Sequence, residues 1–167
     1  MSTRLGHLVA AAIFSVAVVA PAFADQLCKP VVGHFEAVTV SPGSGHCPAV
    51  PGAFCTAGRV WGGIQGTYQF VITGAMPAAT LGGEPGVLFF VGDSVVSLKR
   101  GDTLFGKDTG SIDALLPTSL GGFASLITFH GGSGAMTGAG GQIRLRGQFD
   151  AAAGTTAGDY TGILCTP

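Results

Sequence analysis

The C-terminal part of the chain, residues 121–165, constrains the fold most, because apolar and polar side chains alternate there along short runs. Between Gln142 and Phe149, apolar Ile143 and Leu145 alternate with polar neighbours. A period of two is typical of a β-strand with one buried and one solvated face. Glycine-dense connections separate this run from the apolar runs Phe123–Phe129 and Tyr160–Leu164. The segment therefore predicts short strands, of which the last two form a hairpin joined by Ala151–Gly158.

Comparable patterns precede this segment. They predict strands at Val31–Val40, at Arg59–Trp61, at Gly66–Gly74, at Thr103–Ile112 and, as two runs, between Gly86 and Arg100. Glycine and proline predict loops at Ser41–Gly52, Ala75–Gly86 and Leu115–Gly122, with a bulge or bend at Gly62-Gly63. About eight short strands without helical periodicity indicate an all-β fold. We expect a single antiparallel β-barrel, because closure removes exposed sheet edges.

The first 24 residues have the pattern of a cleaved signal peptide. Arg4 precedes an apolar run, Leu8–Ala20, and Ala22-Phe23-Ala24 matches an A-x-A cleavage site. That run is shorter than the roughly 20 residues that a membrane-spanning helix needs. We therefore predict a secreted or periplasmic protein without a membrane span in its mature part. Residues 25–57 would supply the first strand and a Pro/Gly-rich loop packed on the barrel, and residues 58–167 the rest of the same domain.

The four cysteines are expected to form disulfide bonds, because an even number in an exported chain indicates a disulfide framework. Three pairings are possible. We favour Cys28–Cys165, which would tie the two ends of the domain, and Cys47–Cys55, which would close a short loop. Zinc binding by His46 with Cys47 and Cys55 is the competing interpretation. The spacing fits no C-x-x-C site, so we predict no metal.

Charge and motifs exclude several function classes. The chain has eight Lys and Arg residues and nine Asp and Glu residues, and its basic residues do not form a cluster. Nucleic-acid binding is therefore not expected. The chain has no phosphate-binding or dinucleotide-binding glycine loop and no Ca²⁺-binding EF-hand spacing. We therefore expect no cofactor.

The connection Gly131–Gly141, read as G-G-S-G-A-M-T-G-A-G-G, carries a family resemblance. It resembles the glycine-rich connection of the allene oxide cyclase-like and dirigent-like β-barrels, and Gln142–Phe149 with Asp159–Leu164 resembles their closing hairpin. The resemblance implies an eight-stranded antiparallel barrel, often oligomeric. Plant members isomerise an epoxide or steer the coupling of phenolic radicals inside the barrel. Their polar catalytic residues are not recognisable in this sequence, so none is transferred.

His34 and Glu36 are the candidate catalytic residues, since they share one face of the first predicted strand. If that face points into the barrel, Glu36 would be a buried acid with a raised pKa, suited to proton transfer. A metal site with His130 and a solvated outer face are the alternatives. The neighbours Phe35 and Val38 fall on opposite faces, so the pattern leaves the choice open.

Several aromatic residues are candidates for an apolar ligand site inside the barrel, although packing of the core alone would also explain them. The predicted ligand-binding residues are Tyr68, Phe70, Phe89, Phe129 and His130, and Trp61 and Phe90 join the same group. The sequence thus favours an exported, non-enzymatic barrel that binds a small apolar molecule or a protein partner, including a second copy of itself. The alternative is a cofactor-free isomerase or cyclase that acts in the barrel interior.

Overall fold

The computed structural model describes residues 26–81, 84–113 and 120–167, and the predicted signal peptide lies outside these ranges. Within them, no helix has the length and apolar character to cross a membrane. Eight strands account for most of the chain: β1 Leu27–Val40, β2 Cys55–Gly62, β3 Gly66–Leu81, β4 Glu84–Leu98, β5 Thr103–Asp113, β6 Leu120–Ser133, β7 Gly140–Asp150 and β8 Thr155–Thr166. A single 3₁₀ turn, Gly134–Met136, is the helical element in the described part.

The strands form one closed antiparallel barrel. Each strand pairs with the next along the chain, and β8 pairs with β1 to complete the sheet. Inward and outward side chains alternate along each strand, as in β1, where Val31, Phe35 and Ala37 are buried and His34 is exposed. The predicted all-β, eight-stranded barrel is confirmed.

The predicted loop Ala75–Gly86 is wrong over most of its length. β3 continues to Leu81 and β4 begins at Glu84, so the two strands form one long hairpin. Register shifts between Pro77 and Ala79 and between Ala79 and Thr80 accommodate the proline that had indicated a loop. The bend predicted at Gly62-Gly63 is present: Gly62 ends β2 with a φ of 112°, and the chain turns there into β3.

Both favoured disulfide bonds are confirmed. Cys28 and Cys165 occupy directly paired positions of β1 and β8, with their Cα atoms 3.9 Å apart. Cys47 and Cys55 link the loop after β1 to the first residue of β2. One bridge therefore fastens the strand pair that closes the barrel, and the other holds the longest described connection at the barrel's end.

One end of the barrel is filled by close-packed side chains. Val31, Val60, Ile64, Val96, Leu104, Ile127, Phe129, Ile143 and Tyr160 are buried there. The Tyr160 hydroxyl accepts a hydrogen bond from the Ile64 amide at 2.7 Å and lies 3.2 Å from the Ile64 carbonyl oxygen. Its ring covers Gly33, where an added Cβ would lie 2.5 Å from the hydroxyl oxygen. Tyr160 therefore closes this end against the β2–β3 turn.

Candidate functional site

The opposite end of the barrel is hollow. A cavity of about 460 Å³ opens between the ends of the strands and the loop that follows β1. Its walls are mostly apolar, which matches the size and character of small-molecule sites in proteins. The side chains that line it include Phe35, Phe54, Thr56, Tyr68, Phe70, Ile72, Leu88, Phe90, Asp108, Ile112, Phe123, Ser125, Leu145 and Phe149.

Six phenylalanines form what we call the Phe cage: Phe35, Phe54, Phe70, Phe90, Phe123 and Phe149. They meet in three edge-to-face pairs with ring centroids 5.6–5.9 Å apart. This geometry is favoured because the electropositive edge of one ring meets the electronegative face of the other. Two pairs join residues of different strands, and the third joins Phe54, in the loop before β2, to Phe149 of β7, so each ring is held by a neighbour from another part of the cavity wall.

Asp108 is a buried acid on this cavity's wall. It lies on β5 with buried Leu104 and Gly106, while exposed Lys107 points outward, and only 2% of Asp108 is exposed. Its Oδ2 accepts hydrogen bonds from Ser94 Oγ at 3.1 Å and from the Tyr68 hydroxyl at 3.4 Å. Its Oδ1 has no hydrogen-bond partner among the described residues.

Burial sets the acid–base properties of this group. Loss of water raises the pKa of Asp108 to about 6, and the hydroxyls of Ser125, Ser94 and Tyr68 limit the rise. Burial also raises the pKa of Tyr68, and the negative charge of Asp108 adds to that increase. Tyr68 therefore stays a neutral hydrogen-bond donor at neutral pH. Asp108 can exchange a proton close to neutrality.

The loop between β1 and β2 covers part of the cavity mouth and contributes Gly52 and Phe54 to its lining. Three contacts hold this loop. The Cys47–Cys55 disulfide fixes its centre to β2. His46 Nε2 donates a hydrogen bond to the Phe70 carbonyl at 3.1 Å, and the Phe54 carbonyl accepts one from the Ile72 amide at 3.0 Å. The mouth is thus bounded by a segment fastened to β2 and β3.

The predicted ligand-binding residues are divided between the cavity and other places. Tyr68 and Phe70 line the cavity, as does Phe90. Phe129 is buried in the packed end, and Phe89 lies on the outer face with 50% of its surface exposed. His130 is exposed where the register of β6 against β5 shifts, at the end of the barrel away from the cavity.

His34 and Glu36 lie on the outer face of β1, because Phe35 between them points inward. His34 Nδ1 lies 2.5 Å from Asp159 Oδ1, and its ring packs beside exposed Trp61. The interior role considered for Glu36 requires a carboxyl group that points into the barrel. Glu36 points outward, and Asp108 on β5 is the buried carboxyl that lines the cavity. No three His, Cys, Asp or Glu side chains converge as metal ligands in the described part of the chain.

The sequence contains a signal for Asp108 that the exposed Phe105 obscures. Leu104, Gly106 and Asp108 share one parity, and Lys107 has the other, which places Asp108 inward. Phe105 has the parity of Lys107, so an apolar residue lies on the outer face and the alternation looks irregular. The inward position becomes evident only when Lys107 is given more weight than Phe105.

Comparisons with known proteins give a distant structural likeness and no relative by sequence. No family model matches the chain. No curated protein matches it either. A solved structure of a pterocarpan synthase dirigent protein is similar over 92% of this chain and 97% of that one, with 14% identity and a TM-score of 0.37. A likeness this distant carries no argument about the site.

Proposed function

We propose that this protein is an exported, non-enzymatic barrel that binds a small, mainly apolar molecule in its cavity. The observation that supports this proposal is the contrast between the two ends of the barrel. Aliphatic and aromatic side chains fill one end, whereas the other keeps an apolar space of about 460 Å³. Close packing is the usual state of protein interiors, so a cavity of this size with fixed aromatic walls favours a ligand.

Export is part of the proposal. Both disulfides are structural, with Cys47 and Cys55 buried and Cys28 paired across the strands that close the barrel. Such bonds persist in oxidising compartments and are rare in the cytosol. Cell fractionation with N-terminal sequencing of the isolated protein tests this part, with a mature chain that begins near Asp25 as the expected result.

Native mass spectrometry of protein purified from its producing cells tests ligand binding. We expect an added mass that leaves on denaturation. The variant Ala75→Trp should abolish this added mass, because Ala75 lines the mouth and an indole there would fill the opening. Ala157→Trp is the matched control, since Ala157 is exposed on the outer face of β8. Equal ligand content in the two variants would place the ligand outside the cavity, and an unliganded protein that binds no apolar probe would refute the proposal.

A second candidate function is a cofactor-free isomerase or cyclase. The buried Asp108 carboxyl and the Tyr68 hydroxyl beside it favour this candidate. Asp108 has a pKa of about 6, and the Tyr68 hydroxyl lies 3.4 Å from its Oδ2. A carboxyl of this kind can give or take a proton from a substrate held in an apolar site. Once the natural ligand is identified, incubation with it should show an isomer only if this candidate is correct. Asp108→Asn should then remove turnover and leave binding measurable.

Self-association is the remaining partner proposal. Large apolar side chains are exposed on the outer face, among them Val32, Val38, Trp61, Met76, Phe89 and Val91. Met76 and Phe89 are paired across β3 and β4, and exposed Val91 lies two residues from Phe89 on the same strand, so these three form a contiguous apolar patch of the kind that favours contact with another protein surface. Light scattering after size-exclusion chromatography distinguishes a homo-oligomer from a monomer.

A further inference from the structure

The charge of the cavity lining is one-sided. Two acids, Asp108 and Asp113, are among the lining residues, and Lys, Arg and His are absent from the described lining. The ion pairs in the described part of the chain involve Asp159 and Asp93, both on the outer face. Asp108 thus lacks a positive partner. An ionised carboxylate in an apolar interior is unfavourable unless a cation or hydrogen bonds to both oxygens compensate it. Ser94 and Tyr68 donate to Oδ2, whereas Oδ1 has no hydrogen-bond partner among the described residues.

The Phe cage supplies the second part of the recognition. The face of an aromatic ring carries negative charge density, so it attracts ammonium groups, and groups of aromatic rings are a known means of binding them. The rings also offer an apolar surface to the hydrocarbon part of a ligand. Phe35 and Phe70, two members of the Phe cage, line the cavity together with Asp108. One molecule with an apolar body and a cationic group can therefore contact both.

We infer that the ligand is an amphiphilic amine whose ammonium group pairs with the Asp108 carboxylate inside the Phe cage. This inference rests on the proposed binding function and names the class of molecule that is bound. A fatty acid or another anion would place a second negative charge beside Asp108. A neutral alcohol could donate a hydrogen bond to the unpartnered Oδ1, but would leave the carboxylate charge without a counter-charge. The amine satisfies both requirements.

Four probes with one hydrocarbon frame test the inference: phenylbutylamine, its trimethylammonium derivative, phenylbutanol and phenylbutyrate. Their affinities for the mature, disulfide-bonded protein would be measured by calorimetry at neutral pH. We expect the two cations to bind at least about tenfold more tightly than the alcohol, and phenylbutyrate to bind most weakly. In Asp108→Asn the difference between amine and alcohol should disappear. Asp93→Asn, which changes an exposed acid, should keep it.

The outcomes separate this inference from the proposed function. If the alcohol binds as tightly as the amine, or the amine preference persists in Asp108→Asn, the ligand class is wrong while binding in the cavity stands. If none of the probes binds and no natural ligand is found, the proposed function fails and the inference fails with it. Near-ultraviolet circular dichroism of Asp108→Asn verifies that the variant is folded.

A measurement on the unchanged protein covers the case in which Asp108→Asn does not fold. Below about pH 6, protonation of Asp108 removes the counter-charge, so the preference for phenylbutylamine over phenylbutanol should shrink as pH falls from 7 to 5. Tyr68 stays neutral in this range because its pKa is raised. Asp113 is the other carboxyl of the lining, and repeating the titration with Asp113→Asn isolates its effect. A preference that does not change with pH overturns the inference.

Discussion

At the scale of single residues, Asp108 should determine how stability depends on pH in mildly acidic solution. Its pKa is about 6 in the folded protein and 3.8 in the unfolded chain. Between these values the folded protein keeps a proton that the unfolded chain releases. The free energy of unfolding therefore falls as pH rises from about 4 to 6, by up to about 3 kcal/mol. Below about pH 4 the carboxyl is neutral in both states and the contribution no longer changes.

Asp108→Asn should remove this dependence. Urea denaturation of both proteins at several pH values between 4 and 7 gives the difference between their free energies of unfolding. The contributions of the other ionisable groups are the same in both proteins and cancel in this difference. Asp93→Asn serves as the control because its carboxyl is partly exposed and pairs with Lys107. Parallel stability curves for the unchanged protein and Asp108→Asn would contradict the raised pKa.

Tyr160 carries a second prediction at this scale. In Tyr160→Phe the Ile64 amide would lose its hydrogen-bond acceptor in a residue that is 2% exposed. An unpartnered buried donor of this kind costs about 1–3 kcal/mol. Chemical denaturation should show that loss, and Thr161→Val, at the exposed neighbouring position of β8, should change stability little. Ligand content should not change, since Tyr160 lies at the packed end, so a variant without ligand would show that the two ends are coupled.

At the scale of elements, the Cys28–Cys165 bridge restrains the strand pair that completes the barrel. It joins residues separated by 137 positions in the sequence, so it restricts a very long stretch of the unfolded chain. Cys28→Ala with Cys165→Ala should lower the free energy of unfolding by about 4–5 kcal/mol. Val32→Ala with Thr161→Ala is the matched control, since these exposed residues are paired on the same two strands without a cross-link. A comparable loss in both double variants would assign the effect to strand packing.

Element boundaries show what the sequence could and could not predict. β7 and β8 were identifiable because Ile143 and Leu145 alternate with polar residues and one face is buried. The β3–β4 hairpin was not, because Pro77 and Gly86 have local preferences for turns that pairing between two long strands overrides. At Gly62-Gly63 the sequence left a bulge and a bend open, and the structure has a bend between two strands. The conformational freedom of glycine is used there for a reversal of the chain, and neither residue type nor spacing distinguishes a reversal from a bulge.

At the scale of the whole molecule, the closed barrel followed from the number and alternation of the strands, but the cavity did not. A hollow end depends on which inward side chains lie at the same height along the barrel. Small residues such as Ala75 and Ala151 line the hollow end, and Ile64, Leu104 and Ile127 fill the packed end. Their heights are fixed by the register between strands distant in sequence. The spacing of residues along the chain does not predict that register.

The pairing of β1 with β8 has a consequence for the order of the strands. Because the first and last strands are neighbours and covalently joined, the polypeptide already forms a continuous circle through Cys28 and Cys165. A circular permutant that links Pro167 to Gln26 and begins in the turn Lys99–Asp102, between β4 and β5, should fold to the same barrel. Cutting instead within β5, between Lys107 and Asp108, should prevent folding, and circular dichroism with ligand content distinguishes the two. The closed sheet therefore has no structurally first strand, and β1 is first only in the order of the sequence.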